Sequence, residues 1–290
     1  MNRGEHRNSP SIRRIMVALD ASPQSREIID TAAKLAARFG SQLVGLFVED
    51  INLLKLTELP FVREVGFFSP VLRVMDRTDL ERQLRAQAAW MRRLLGETAD
   101  RLRVPWEFRV ARGLVAMELL TAGKDADLLI MGKVGRSFLQ RHRVGSTVRT
   151  LLLQRPGLTM IFQGQARQYQ GPLPVIAVYE GSELSRKALY TAFNLVDEKE
   201  APLRVLILAP DQNSVPTLRK EIGRELEAEG VGAETRTLIE PNLKKLARAL
   251  QMESGGAVVI PCDNHVLGGE DLCTLMEEIP NPVLVVRRSR

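Results

Sequence analysis

Cysteine is scarce in this chain of 290 residues: only Cys262 and Cys273 occur. Two are too few for a disulfide framework, and their spacing matches no zinc site. They read as inert thiols, and a reducing cytoplasm is the expected setting. Histidine is nearly as rare, with three residues. No triad can be argued around His142, so no catalytic histidine is expected. Long apolar runs are missing too. The most apolar stretch, residues 51–72, carries Lys55, Glu58, Arg63 and Glu64 and is broken by Pro60 and Pro70. A membrane helix needs about 20 apolar residues in succession, so no membrane partner is expected. Residues 1–10 are polar and lack the apolar core of a secretory signal. A Walker Gly-x4-Gly-Lys-Ser/Thr sequence is also absent, which argues against P-loop phosphoryl chemistry.

What is present suits two globular domains. At roughly 100–200 residues per domain, the chain divides into two, each able to bury its own core. Charge is uneven. Residues 1–165 hold 26 Lys and Arg against 17 Asp and Glu, a net of +9, and residues 166–290 hold 15 against 18, a net of −3. A basic half raises the question of nucleic acid or another polyanion. No helical pattern carries a one-sided basic stripe with aromatics between, so arginine reads as the ordinary surface cation and nucleic acid is not an expected partner.

The chain repeats itself. Ile15-Met-Val-Ala-Leu-Asp-Ala-Ser22 aligns with Val175-Ile-Ala-Val-Tyr-Glu-Gly-Ser182 at an offset of 160, and Ser25, Arg26, Thr31, Ala32 and Leu35 recur as Ser185, Arg186, Thr191, Ala192 and Leu195. Leu128-Leu-Ile130 matches Val258-Val-Ile260 at 130, and Pro156 with the run from Leu158 matches Pro280 with the run from Pro282 at 124. The second copy therefore lacks about 30 residues in mid-domain and six more before its last strand. Residues 163–174, polar, glutamine-rich and closed by prolines, read as the boundary.

Each copy alternates strand and helix. In the first, apolar runs at 14–19, 42–48, 106–110, 128–131 and 158–162 read as strands. Ser22 is placed to N-cap a helix with Pro23 at its first position. Ile28, Ala32, Leu35, Ala36 and Phe39 recur at helical spacing until Gly40. Leu80, Leu84, Ala88, Met91, Leu95 and Leu102 line a longer helix, 114–122 a short one, and 148–153 continues another. Strands separated by such helices imply βαβ units and a parallel sheet, hence an α/β fold. Ligands of such sheets bind beyond the strand carboxyl ends, where the strand order switches.

Two segments stand at those ends. Asp20 follows the first strand. Gly132-x2-Gly135 follows the fourth, and Gly145-Ser146-Thr147 then opens a helix. Glycines let a backbone approach a ligand closely, and free N–H groups at a helix start favour an anion. Lys133, Arg136, Arg141, His142 and Arg143 are expected to raise the local potential, which suits a di- or triphosphate. The bland alternatives stay open: Asp20 as a turn or helix cap, the arginine-rich loop as a solvated segment. Residues 51–74, opening on Ile51 and closing on Val74, are either packing over the sheet or a lid and protein-interaction surface.

The spacing Gly-x2-Gly-x9-Gly-Ser, with the strand before it, the helix after it and Asp20 upstream, resembles the nucleotide-binding signature of the universal stress protein family. The resemblance covers residues 13–163 well and 173–287 weakly, so the chain is similar to a tandem universal stress protein. It implies two tandem Rossmann-like domains of the adenine-nucleotide α-hydrolase-like kind, each a roughly five-stranded parallel sheet flanked by helices. The divisions expected are a polar leader at 1–12, an ATP-binding domain at 13–163, a linker at 164–173 and a degenerate domain at 174–290. The implied cofactor is ATP, with or without Mg²⁺, and no metal ligands are assigned. Asp20 would meet its adenosine end and Val48 its adenine. Gly132, Gly135, Gly145, Ser146 and Thr147 would hold ribose and phosphates, with Met131 and Val134 completing the set.

The second copy departs from that signature. Pro261-Cys-Asp-Asn-His265 stands where the family has Gly-x2-Gly. Proline fixes φ and removes a donor, and Asp263 puts negative charge where phosphate would sit. Glu270 and Asp271 follow Gly268-Gly269 and satisfy the next helix internally. This copy is expected to be structural, with its fifth strand pairing antiparallel to that of the first across an internal pseudo-dyad, an intramolecular pseudo-dimer to which a homodimer can be added. The leading expectation is an ATP-binding stress or regulatory protein without fast turnover, since no catalytic base is evident. The alternatives are a slow ATPase or nucleotidyl-transfer enzyme, whose Ser-Gly-Gly-x-Asp-Ser and His-x-Gly-His signatures are absent, and a nucleotide-free interaction module.

Overall fold

A computed structural model describes residues 11–57, 63–66, 69–74, 76–133, 144–162, 174–196, 203–253, 256–262 and 267–288. The chain is α/β, and its residues group into two compact units, Arg13–Ala126 and Asp127–Arg290. The linker expected at 164–173 lies outside the described residues.

In the unit Arg13–Ala126, strands β1 (Arg14–Leu19), β2 (Gln42–Asp50) and β5 (Trp106–Gly113) run parallel in the order β1-β2-β5. Their apolar runs are buried on both faces at β1 and β2, as expected of parallel strands covered by helices. Helix α1 (Ser25–Phe39) turns Ile28, Ile29, Ala32, Ala33 and Ala36 inward and stops at Gly40, whose φ of +66° lets its N–H reach the Ala36 carbonyl. It begins later than the Ser22 cap expected from sequence. Ser22, Pro23 and Gln24 form a turn, and the Asp20 carboxylate takes the Ser22 N–H (3.0 Å) and the Ser25 hydroxyl (3.1 Å). Asp20 closes that turn ahead of the helix, and Ser22 lies within the turn rather than at the cap position, which Gln24 occupies. Helix α3 (Arg77–Arg101) buries Leu80, Leu84, Ala88, Met91 and Leu95. Leu95 sits so close to β2 that a Cβ on Gly45 would stand 2.7 Å from its Cδ2. Helix α4 (Val115–Ala122) follows β5.

Residues 51–74 are not a bare loop. They form a short helix, α2 (Ile51–Leu56), capped by the Asp50 carboxylate on the Asn52 N–H, and an antiparallel ribbon of β3 (Arg63–Gly66) and β4 (Ser69–Val74). This insertion, together with the 25 residues of α3 against 15 in its counterpart α7 (Val215–Glu229), accounts for the mid-domain shortening of the second copy.

The unit Asp127–Arg290 holds β6 (Leu128–Gly132), α5 (Ser146–Gln154) and β7 (Gly157–Phe162) of the first copy with the whole of the second. The second copy is a five-stranded parallel sheet: β8 (Val175–Tyr179), β9 (Leu203–Ala209), β10 (Ala233–Ile239), β11 (Ala257–Pro261) and β12 (Val283–Arg287), in the order β10-β9-β8-β11-β12. The strand order switches between its first and fourth strands. Helices α6 (Glu183–Leu195), α7, α8 (Leu243–Gln251) and α9 (Gly269–Glu278) connect them. β12 pairs antiparallel with β7, as expected from the sequence, with Leu284 opposite Met160. These two residues are each other's counterparts at the repeat offset of 124, so the pseudo-dyad passes between them.

The turn after the first strand is left-handed in both copies: Ala21 has φ +56° and Gly181 has φ +88°. An added Cβ on Gly181 would also meet Leu218 Cδ2 at 2.8 Å. Gly181→Ala is expected to lower stability by about 1–2 kcal/mol in urea unfolding, whereas Ala21→Gly, which relieves the same strain, produces no loss.

Candidate functional site

The expected site residues fall in both units, and each group is described on its own. In Arg13–Ala126, the register pairs Leu19 with Phe47 and Val48 with Ala111. One step beyond Leu19, Asp20 is level with Val48, and because side chains alternate along strands, Asp20, Val48 and Ala111 share one face at the carboxyl ends. All three are half-buried. Asp20 closes a turn here, accepting from the Ser22 N–H and the Ser25 hydroxyl. On the opposite face, Glu49 is buried and paired with Arg112 at 2.8 Å, and Arg112 also approaches Glu81 at 3.5 Å. Sequence reasoning missed this pair; an acid ending an apolar strand was the available signal.

In Asp127–Arg290, Met131 is buried in β6 opposite Ile161, and Gly132 ends the strand opposite Phe162. Val134 and Gly135 lie outside the described residues, as do Arg136, Arg141, His142 and Arg143. Gly145 is the N-cap of α5 with extended backbone, and its N–H donates to the Lys133 carbonyl at 3.3 Å, which fixes where the chain leaves β6 relative to where it enters α5. Ser146 is exposed and Thr147 half-buried at the helix start. The first turn of α5 contains no acidic residue, and the cap has no side chain. Among the described residues, no capping side chain or first-turn acid accepts from its leading N–H groups.

The counterpart end of α9 is built differently. The Gly268 N–H donates to the Asp271 carboxylate at 3.0 Å, and Glu270 and Asp271 occupy the first turn. Pro261 ends β11, and Cys262 follows it, fully buried, donating its N–H to the Val286 carbonyl. Asp263 lies outside the described residues. Burial raises the pKa of the Cys273 thiol, aided by the nearby Glu270, which accords with an inert role.

One expected contributor is placed elsewhere. Lys133 does not offer its charge to solvent beyond β6. Its side chain is buried, and its ammonium donates to the Met276 carbonyl in the last turn of α9 at 2.5 Å. Burial lowers its pKa, opposed by the nearby Glu277. A cation at a helix C-terminus is favourable on its own account, so this lysine is a tertiary cap. Two further groups at the start of α5 are engaged by α9: the Val144 N–H donates to Glu277 Oε1 at 3.0 Å, and Arg149 forms a two-point ion pair with Glu270.

The chain matches the universal stress protein family over residues 11–156. That is half of its length. The chain belongs to the universal stress protein family. It is 31% identical over 142 residues to a universal stress protein of Mycolicibacterium smegmatis; the match covers 47% of each, so the chain spans about half the length of this curated relative. Its structure is similar to that of a universal stress protein from Archaeoglobus fulgidus DSM 4304, with 15% identity, 95% and 96% of the two chains covered and a TM-score of 0.68. It is also similar to a protein of unknown function from Pseudomonas aeruginosa PAO1, with 16% identity, 95% and 92% covered and a TM-score of 0.58. At these identities the likeness speaks to the fold. Both structures are matched along nearly the whole of this universal stress protein, not over one copy. Among the described residues, no group of three or more His, Cys, Asp or Glu could hold a metal ion, and no helix is long and apolar enough to cross a membrane.

The tertiary cap has a measurable consequence. Lys133→Ala leaves the Met276 carbonyl buried without its donor and is expected to cost about 1–3 kcal/mol in urea unfolding. Lys133→Met restores the stem's apolar contacts and should recover part of that loss.

Proposed function

We propose that this universal stress protein binds ATP through its first copy, that the second copy binds no nucleotide, and that its role is regulatory, in a stress response, without fast turnover. The observation that carries the reading is the difference between two equivalent helix starts. α5 begins on Gly145-Ser146-Thr147 with no acid in its first turn, whereas α9 begins with Asp271 already on the Gly268 N–H. The α9 cap N–H has a carboxylate from its own first turn; at α5 the nearby carboxylate, Glu277, meets the Val144 N–H ahead of the cap, which leaves the helix start itself suited to an added anion.

Under this reading Met131, Gly132, Val134, Gly135, Gly145, Ser146 and Thr147 serve the ribose and phosphates, and Asp20 and Val48 serve the adenosine end. The fit rests on chemistry. Ser146 is exposed and Thr147 half-buried, and their hydroxyls add to backbone donors. A Cβ added at Gly145 would meet only the Lys133 carbonyl at 3.4 Å, so that glycine is not held by packing. Bound ATP would supply the adenine and charge by which the protein senses a nucleotide pool; the chain's own residues bind and orient it.

Calorimetric titration of nucleotide-stripped protein with ATP tests this. Asp20→Asn is the informative variant because its amide oxygen still accepts from Ser22 and Ser25, so the α1 turn persists. A lost charge-assisted hydrogen bond is worth about 1.5–3 kcal/mol, so its affinity for ATP should fall about tenfold or more with melting nearly unchanged. Binding equal to that of the wild type would remove Asp20 from the site. Absence of ATP binding by the wild type would overturn the reading.

A further inference from the structure

We infer that helix α9 of the second copy acts as a resident counter-charge at the start of α5, so that Glu277, seconded by Glu270, lowers the affinity of that end of the first copy for polyphosphate. The inference rests on the proposed ATP reading and adds a role for the copy that binds no nucleotide.

Three groups near the start of α5 would attract an anion, and α9 holds all three. The Val144 N–H, one residue before the N-cap Gly145, already points at a carboxylate oxygen, Glu277 Oε1, at 3.0 Å. Arg149, one turn into α5, is engaged at two points by Glu270. Lys133, just beyond β6, is drawn into a buried bond with the Met276 carbonyl. The first of these is an anion bound to the segment that opens α5, supplied by the chain itself.

The placement of Glu277 adds an independent argument. It lies in the last turn of α9, at the negative end of that helix's dipole, where a carboxylate is unfavourable. Nor does α9 need it for its own start, which Asp271 caps. Its hydrogen-bonding partner is the Val144 N–H of the other copy. A glutamine there would accept the same hydrogen bond without opposing the dipole. What the carboxylate adds is negative charge, which faces both the start of α5 and the buried Lys133 ammonium.

Glu277 and Glu270 are exposed, so each charge acts through screened solvent and the effect is modest. Glu277→Gln keeps an oxygen for the Val144 N–H and removes the charge, from the neighbourhood of Lys133 as well as from α5, so melting is followed alongside binding. Full-length wild type, Glu277→Gln and Glu270→Gln are titrated calorimetrically with ATP and, separately, with adenosine, at low and at high salt. The expected result is a gain for ATP of about two- to fivefold in Glu277→Gln at low salt, a smaller gain in Glu270→Gln, shrinkage of both at high salt, and no change for adenosine. Unchanged or weakened ATP binding by Glu277→Gln, with wild type binding intact, would overturn the inference and leave the ATP reading standing. An equal gain for ATP and adenosine would overturn it too, since charge would not be the cause. Absence of ATP binding by all three proteins would overturn the ATP reading and the inference with it.

Discussion

The antiparallel pairing of β7 with β12 is the constraint on which the unit Asp127–Arg290 depends. It seats the last strand of one copy against the last strand of the other, with Met160 opposite Leu284 at the pseudo-dyad. The side chains of both strands are buried almost throughout, and each fully buried aliphatic side chain contributes about 1.5–3 kcal/mol. Register is strongly specified under such conditions, because a slip of one residue would turn every buried side chain to the opposite face. Once the strands are fixed, the helices before them are fixed as well. α5 meets α9 closely enough that a Cβ on Gly269 would stand 2.4 Å from Leu153 Cδ2.

The pairing also explains a reciprocal exchange of cations. Arg287, at the end of β12, donates to the Leu152 carbonyl in the last turn of α5 at 2.5 Å. Lys133, just beyond β6, donates to the Met276 carbonyl in the last turn of α9. Leu152 and Met276 are counterparts at the offset of 124, so each copy supplies the cation that caps the other's final helix. The C-termini of the two helices are thus treated alike. Their N-termini are not: Asp271 meets the Gly268 N–H in the first turn of α9, and the first turn of α5 holds no acid.

The sequence carried most of the fold because parallel strands buried on two faces leave continuous apolar runs, and because the repeat could be aligned against itself. The antiparallel joining of the fifth strands was expected from the resemblance to the family, whose dimers often pair in this way, and not from either of these signals. The start of α1 was less legible: Ser22 and Pro23 look like a cap and first turn, but Asp20 draws them into a turn of their own and the helix begins at Ser25. Lys133 was misassigned because nothing local marks its partner, which is 143 residues away. For the same reason Glu277 went unnoticed; an acid late in an exposed helix reads as solvated until Val144 is found beside it. Asp20, Val48, Met131 and Gly132 lie at strand carboxyl ends, and Gly145, Ser146 and Thr147 at the start of α5.

Under the proposed function, the repeat has one copy competent for nucleotide and one not. Equilibrium dialysis of nucleotide-stripped, full-length protein against labelled ATP measures this directly through stoichiometry. The account predicts saturation at one ATP per chain. Saturation at two per chain, or no saturable binding at all, would contradict it.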